Sequence, residues 1–242
     1  MVPEASKKGF NTPSLVVLAI ETSTEVCSIG LSVCGNITVA EKTGNQSHSE
    51  HVLPMIDKLL VSKNIGLGEI DVIGFGAGPG SFTGVRLACG VAQGLAFGVN
   101  IPVVPVSSLE AMAQHTKMDK VVVCQDARMN QVYAAAFERK GGAWRATIDP
   151  YVCDPQDVII PAGDGWVACG SGFVSYQEIF ATSTNFSIPI LDHAYIRPRA
   201  REIMHITCRE FADGNAVCAE DAIPVYVRDK VALTLNEQLS NR

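Results

Sequence analysis

Two stretches of the sequence decide the fold: residues 15–42, LVVLAIETSTEVCSIGLSVCGNITVAEK, and residues 121–148, VVVCQDARMNQVYAAAFERKGGAWRATI. Each begins with an apolar run typical of a buried strand that ends at an acid, Glu21 or Asp126, and continues through two further strands. The strands of both stretches are separated by short turns such as Cys34-Gly35-Asn36. The second stretch therefore indicates a second copy of the first three-stranded meander.

Helices and short strands are predicted after each meander. Ser47, followed by Glu50, predicts a capping box at the start of a helix that continues to about Lys63. Ser107 with Glu110 predicts a second capped helix. The other predicted elements are a strand over 71–76, a helix over 81–97, a strand over 103–106, a strand over 166–169 and helices over 173–180 and 198–211.

Two such halves define an α/β protein with tandem βββαβα-type lobes. This pattern is typical of the two-lobed actin-like fold, the ASKHA or ribonuclease H-like class, in which the hairpin turns face each other across a nucleotide cleft. We predict an N-terminal lobe over 15–114 and a C-terminal lobe over 115–242, and we interpret residues 1–14 as a flexible tail or an expression remnant. Fold alone does not settle function.

Composition narrows the class of protein. The chain has 242 residues, of which 47% are hydrophobic, and a net charge of −6, so its overall charge does not favour nucleic acid or an anionic membrane. Its eight cysteines form no C-x-x-C pair and stand mostly in apolar runs, which is typical of free thiols in a reducing cytoplasm. Because no uninterrupted apolar run reaches about 18 residues, we expect no membrane span.

The turns that end the two first strands predict a degenerate nucleotide site, formed by Glu21, Thr22, Ser23, Thr24 and Asp126. Such a site needs a carboxylate to orient hydrated magnesium, and close backbone amides to hold phosphate oxygens. The turn over 126–130 has no glycine, which removes half of the phosphate cradle. We therefore expect no cofactor, or at most ATP or ADP that is bound weakly or shared at an interface. On this interpretation Glu21→Ala folds normally.

Two further patterns give weak support to metal binding or to hydrolysis. His48 and His51 have i,i+3 spacing, whereas zinc-binding histidines on a helix favour i,i+4, so we expect no metal site and interpret HSEH as a polar first helical turn. Ser81 in GPGSFTG departs from the G-x-S-x-G nucleophile elbow, because Thr83 replaces the second glycine. The sequence thus predicts no catalytic residue.

The helix after the motif GAGPGSFTGVR, residues 76–86, favours a protein interface over a phosphate site. Glycines at 90, 94 and 98 recur at helical spacing, and a glycine inside a helix costs about 1 kcal/mol relative to alanine, which suggests close packing on a second face. The helix over 49–63 has a wide apolar stripe. The alternative is that both helices are buried within their own lobe. The predicted interface residues are Val52, Met55, Ile56, Leu59, Phe82, Arg86, Gly90, Gly94 and Phe97.

The motifs LAIETST, HSEHVLPMI, GAGPGSFTGVRLACGVAQGLA, DARMNQVYAA and PVYVRDKVA resemble, in this order, the bacterial TsaB family, also called YeaZ. The resemblance implies a cytoplasmic, non-catalytic subunit of the machinery that forms threonylcarbamoyladenosine on tRNA beside the anticodon. It implies binding to the transferase TsaD, whose H-x-x-x-H metal pair is missing here, and a further ATPase, TsaE. The family's usual Asp is Glu21 in this chain.

The resemblance also implies a homodimer when the protein is alone, contact with tRNA only through the complex, and no membrane association. The arginines at 197, 199, 201 and 209 form a modest basic strip, which we interpret as a solvated helix face. The alternative function is a stand-alone actin-like ATPase or a glycoprotease-like peptidase. Tight binding of ATP and magnesium to the isolated chain would favour that alternative.

Overall fold

The structure is a computed structural model that describes residues 15–44, 47–183, 186–191 and 196–228. The segment 1–14, interpreted above as a tail or remnant, lies outside the described residues. The strands are β1 (Val16–Glu21), β2 (Val26–Val33), β3 (Asn36–Thr43), β4 (Val72–Gly78), β5 (Val103–Ser107), β6 (Lys120–Arg128), β7 (Gln131–Lys140), β8 (Ala143–Cys153) and β9 (Val167–Cys169). The helices are α1 (Val52–Lys63), α2 (Phe82–Val99), α3 (Ser108–Thr116), α4 (Ser171–Ser175), α5 (Gln177–Thr182) and α6 (Ala200–Ala212).

The strands form two sheets with the same core arrangement. The first has the order β3-β2-β1-β4-β5, with β1 to β3 antiparallel and β4 parallel to both β1 and β5. The second has the order β8-β7-β6-β9, with β6 to β8 antiparallel and β9 parallel to β6. Both predicted meanders are confirmed, and β1 and β6 occupy corresponding positions in a two-lobed actin-like, ribonuclease H-like fold.

The central strands of the first sheet are covered on both faces, which explains their continuous apolar runs. Leu18 and Ile20 of β1 belong to a core cluster that includes residues of α1 and α2. Val17 and Ala19, which point to the opposite face, belong to a cluster with residues of α3 and α6. The helices α1 and α2 therefore share one side of the first lobe, and α6 lies on the other.

The position of α6 corrects the predicted boundary between the lobes. Although α6 follows the second meander in the chain, Ile203 and Met204 pack into the core of the first sheet. The chain after α6 also stays with the first lobe, since Val217 pairs with Val103 of β5 and Val225 N donates to Ala77 O at 2.8 Å. Residues 115–242 thus do not form one C-terminal lobe. An amphipathic pattern identifies the buried face of a helix and leaves open which sheet covers that face.

Helix starts agree only partly with the predicted caps. Ser81 Oγ accepts a hydrogen bond from Gly84 N and Ser107 Oγ accepts one from Glu110 N, as expected for N-caps. The predicted capping box at Ser47 is wrong: residues 48–50 form a separate 3-10 turn, α1 begins at Val52, and Ser47 makes no side-chain cap.

Helix α2 is long and apolar enough, judged by length and composition alone, to cross a membrane. The expectation of no such segment overlooked this helix, because glycines and Arg86 interrupt its apolar run. Its inner side, formed by Ala88, Ala92 and Ala96, lies in the core of the first lobe. Core helices of globular proteins pass the same test.

Candidate functional site

The glycine motif is packed against the turn that follows β1. Ser81 N donates to Ser23 O at 2.8 Å, and Thr22 Oγ1 donates to Gly84 O at 2.7 Å. A Cβ atom at Gly80 would lie 2.7 Å from Ser23 O, and one at Gly84 would overlap with Thr22 O. Two glycines of the motif are therefore needed because protein backbone passes over them. The amide of Ser81 is used by Ser23, so this part of the motif holds another strand turn.

Glu21 lies in the protein interior, behind this turn. Its side chain is fully buried, Oε1 accepts a hydrogen bond from Ser23 N at 2.5 Å, and Oε2 accepts one from Ser108 Oγ at 3.1 Å. Gly76 leaves the space for the carboxylate, since a Cβ atom there would overlap with Oε2. Burial raises the pKa of Glu21, an effect that the hydrogen bonds from Ser23 and Ser108 oppose. Glu21 thus ties the β1–β2 turn to the start of α3, and we expect Glu21→Ala to destabilise the fold rather than to leave it unchanged.

The opposing turn, between β6 and β7, has an unusual backbone. Arg128, Met129 and Asn130 have φ values of 61°, 54° and 58°, a left-handed conformation that non-glycine residues seldom adopt. Asp126 stabilises the turn, because its carboxylate accepts hydrogen bonds from Arg128 N at 2.8 Å and from Tyr176 OH at 3.3 Å. The missing glycines are therefore replaced by strained residues with bulky side chains, and Met129 is 61% exposed.

A cleft of about 830 Å³ lies between the two turns. Of the predicted nucleotide-turn residues, Ser23, Thr24 and Asp126 line this cleft, whereas Glu21 and Thr22 do not. The segment from Val225 to Arg228 also lines it, which the sequence interpretation missed. The predicted opposition of the two turns is thus present, with Glu25 rather than Glu21 as the acid of the first-lobe turn that lines the cleft.

Glu21 does not fit the role of the magnesium carboxylate that the fold class implies for a nucleotide site, and Glu25, which does line the cleft, is paired with Arg197. The carboxylate of Glu21, which was expected to orient hydrated magnesium, is enclosed by Ser23 and Ser108. Gln125 and Arg228 line the cleft. Gln125 Oε1 and Arg228 Nε are themselves buried and have no hydrogen-bond partner among the described residues. Weak or shared binding of ATP or ADP stays a prediction.

The residues that suggested metal or hydrolytic chemistry have other contacts. His48 Nε2 lies 2.8 Å from Thr24 O, and His51 Nε2 lies 2.9 Å from Lys42 Nζ. The two imidazoles thus contact different groups and do not point to a common metal position. Ser81 Oγ is engaged as the cap of α2. Within the described ranges, no group of three histidine, cysteine or acidic side chains is placed to hold a metal ion.

Part of the predicted interface on α1 is wrong. Val52, Ile56 and Leu59 are 0%, 3% and 6% exposed and belong to the core of the first lobe. They belong to a core cluster that also contains residues of the sheet and of α2, which accounts for the wide apolar stripe without a partner. Met55 is half-buried and packs against the same core. The exposed apolar residues of α1 are instead Leu53 and Val61, at 52% and 71%.

The predicted residues on α2 lie on an exposed face, which we call the α2 stripe: Phe82, Arg86, Gly90, Gly94 and Phe97. Phe97 is 75% exposed and Phe82 is 43% exposed. A Cβ atom at Gly90 or Gly94 would meet nothing within 4 Å. The alternative that α2 is buried on all sides within its lobe is therefore wrong for this face. Whether a partner binds the stripe stays a prediction.

At the N-terminal end of the α2 stripe, two aromatic residues hold the side chain of Arg86 in place. The Arg86 guanidinium carbon lies 3.5 Å from the centroid of the Phe82 ring, and Nε donates to Tyr226 OH at 2.7 Å. Tyr226 is 52% exposed and belongs to the segment that lines the cleft. Its role was missed, although it stands in the quoted motif PVYVRDKVA, because 140 residues separate it from Arg86.

Three arginines of the proposed basic strip are occupied by carboxylates. Arg197 Nε lies 2.6 Å from Glu25 Oε1, Arg199 pairs with Glu41 at 2.7 Å, and Arg209 pairs with Glu110 at 2.9 Å. These pairs attach α6 and the preceding segment to the first lobe. They favour the interpretation of the strip as a structural feature over that of an RNA surface.

The fold and cleft define the class of protein: a two-lobed actin-like chain in which the first acidic residue is enclosed in the core. The family described as TsaD, tRNA N6-adenosine threonylcarbamoyltransferase, matches residues 35–233. The chain is 35% identical to "tRNA threonylcarbamoyladenosine biosynthesis protein TsaB" of Haemophilus influenzae, covering 90% of this chain and 95% of that protein. The protein of the same name in Escherichia coli is 34% identical, with coverage of 89% and 96%.

A solved structure, "YeaZ from Pseudomonas aeruginosa", superposes with a TM-score of 0.81 at 34% identity, covering 88% of this chain and 99% of that chain. The predicted resemblance is thereby confirmed. The chain belongs to the TsaB family.

Proposed function

We propose that this protein is a non-catalytic subunit in the formation of threonylcarbamoyladenosine on tRNA, and that it binds and supports a TsaD transferase. The names of its relatives support the pathway. The observation that carries the proposed role is the combination of an enclosed Glu21 and an exposed α2 stripe. Glu21, the residue expected to serve nucleotide chemistry, is buried in the core. The α2 stripe is instead exposed on the surface.

The proposed partner is a TsaD subunit because this chain itself matches the TsaD family description over residues 35–233. Two chains with related folds present corresponding helices, and such helices can associate about a pseudo-twofold axis. A stable interface buries roughly 800 Å² on each partner, an area that α1 and α2 together can present. Leu53 and Val61 add exposed apolar area on α1.

The same surface accounts for the other predicted partners. An isolated chain would cover its apolar stripe by pairing with a second copy, which would produce a homodimer. TsaE and tRNA would meet this subunit only in the assembled complex, since the arginines that could attract RNA are largely paired with acids. This role places the protein in the cytoplasm, where tRNA is modified.

The experiment is a modification assay on unmodified tRNA with purified components. TsaD, TsaE and a donor of the threonylcarbamoyl group are supplied with or without this chain, and threonylcarbamoyladenosine is measured by mass spectrometry. We expect product with the full set and none with this chain alone. Turnover by the isolated chain, or full activity of the mixture without it, would reject the proposal.

A further inference from the structure

Arg86 is the one charged residue in the sequence of α2, and two aromatic side chains hold its guanidinium in place. The guanidinium carbon lies 3.5 Å from the Phe82 ring centroid and 5.4 Å from that of Tyr226, and Nε donates to Tyr226 OH. These contacts use the face of the group and its Nε. The two terminal nitrogens have no hydrogen-bond or ion-pair partner among the described residues.

The arginines on the other side of the first lobe differ from Arg86. Arg199 and Arg209 are bonded to carboxylates, as expected for a chain with a net charge of −6. Arg86 is exposed and faces no carboxylate in the described part of the chain. Its side chain is thus both ordered by aromatic contacts and available, and an ordered guanidinium loses less freedom when it binds a planar acid.

Resting on the proposed function, we propose that Arg86 is the anchor of the α2 stripe and receives an aspartate or glutamate carboxylate from the TsaD subunit. A guanidinium presents parallel donors that match a carboxylate in two hydrogen bonds. Arginine next to exposed aromatic rings is typical of residues that dominate binding energy. Gly90 and Gly94, one and two turns further along, leave room for the backbone of the same partner segment.

Tyr226 acts in this proposal as a positioning residue. Its hydroxyl group accepts the Nε hydrogen bond, so the donors of Arg86 that remain for a partner are those of its two terminal nitrogens. The partner segment that fits this surface is a helix with an acid near Arg86, small residues against Gly90 and Gly94, and an apolar residue at Phe97.

The test is titration of purified TsaD into this chain by calorimetry, at low and moderate salt. Arg86→Ala is expected to raise the Kd by about tenfold or more. Arg86→Lys should bind with intermediate affinity, because an ammonium group lacks the planar fork, and Arg86→Glu should bind most weakly. Arg201→Ala, which removes an exposed arginine on α6, is the matched control and should leave the Kd unchanged. The melting temperature of each variant checks folding.

Tyr226→Phe distinguishes positioning from packing. It should weaken binding when Arg86 is present and have no further effect in the Arg86→Ala background, since the two residues act through one contact. Wild-type affinity for TsaD in folded Arg86→Ala, or a loss confined to self-association, would overturn the assignment of Arg86. If the wild-type chain itself does not bind TsaD, the proposed function fails and this assignment fails with it.

Discussion

The glycines of α2 and of the motif before it fall into two groups that the sequence does not distinguish. At Gly80 and Gly84, an added Cβ atom would collide with the backbone of the β1–β2 turn. At Gly90 and Gly94, it would meet nothing within 4 Å. The first pair is required by the fold itself, whereas the second pair lowers helix propensity and has open space around it among the described residues. A glycine that the fold does not use is a candidate for recognition by another molecule.

The largest expected effect is that of Gly84→Ala. The new methyl group would overlap with Thr22 O, and a shift of either backbone would strain the hydrogen bond from Thr22 Oγ1 to Gly84 O. We expect a loss of about 3 kcal/mol or more in the free energy of unfolding. Urea denaturation measures it, with Gly90→Ala as the control, which should be neutral or stabilising by up to about 1 kcal/mol. Equal melting of the two variants would remove the distinction between the glycine groups.

The second effect concerns Glu21→Ala, which leaves a buried gap beside Gly76 and removes the acceptor for Ser108 Oγ and Ser23 N. An unsatisfied buried donor costs about 1–3 kcal/mol, so we expect a destabilisation of that size with association retained in the folded fraction. Denaturation and a binding titration on the same sample measure both quantities. Unchanged stability would mean that Glu21 serves a ligand in the cleft rather than the turn.

Gly94→Leu is expected to affect association more than stability. The position is open, so the melting temperature should stay the same or rise slightly, while the bulky side chain should weaken binding of TsaD or of a second copy by about tenfold. Calorimetry and sedimentation measure the two Kd values. A lowered melting temperature with normal association would place Gly94 with Gly84, as a glycine that the fold requires.

The smallest effect is a pH dependence that belongs to Glu21. Because burial raises its pKa in the folded chain, the folded state binds the proton more tightly than the unfolded state. The contribution of Glu21 to stability should therefore fall as the pH rises from 4.5, the ordinary pKa of a glutamate side chain, through the raised pKa of Glu21 in the folded state. Glu21→Gln should be less sensitive to pH over this window. The difference in unfolding free energy between the two proteins isolates Glu21 from the other acids, and a difference that does not change with pH would contradict the raised pKa.

The sequence by itself determined the two meanders, the two-lobed fold and the family. These features depend on local patterns, namely apolar runs that end in Glu21 and Asp126, and turn residues between them, which are legible without knowledge of distant neighbours. The caps at Ser81 and Ser107 are local in the same sense. The α2 stripe also follows from helical spacing, although its exposure does not.

The tertiary structure alone decided which of these patterns face outward. Val52 and Leu53 are adjacent apolar residues on α1, yet one is fully buried and the other is 52% exposed. Glu21 stands in the sequence where a carboxylate in the cleft was expected. Its side chain is instead buried, where it accepts a hydrogen bond from Ser108, a residue distant in sequence. Helix α6 crosses back to the first sheet, and Tyr226 reaches Arg86 from the far end of the chain. Each of these outcomes depends on contacts between residues far apart in sequence, and a periodic pattern records the spacing of apolar residues without recording which of them faces the core or what lies against it.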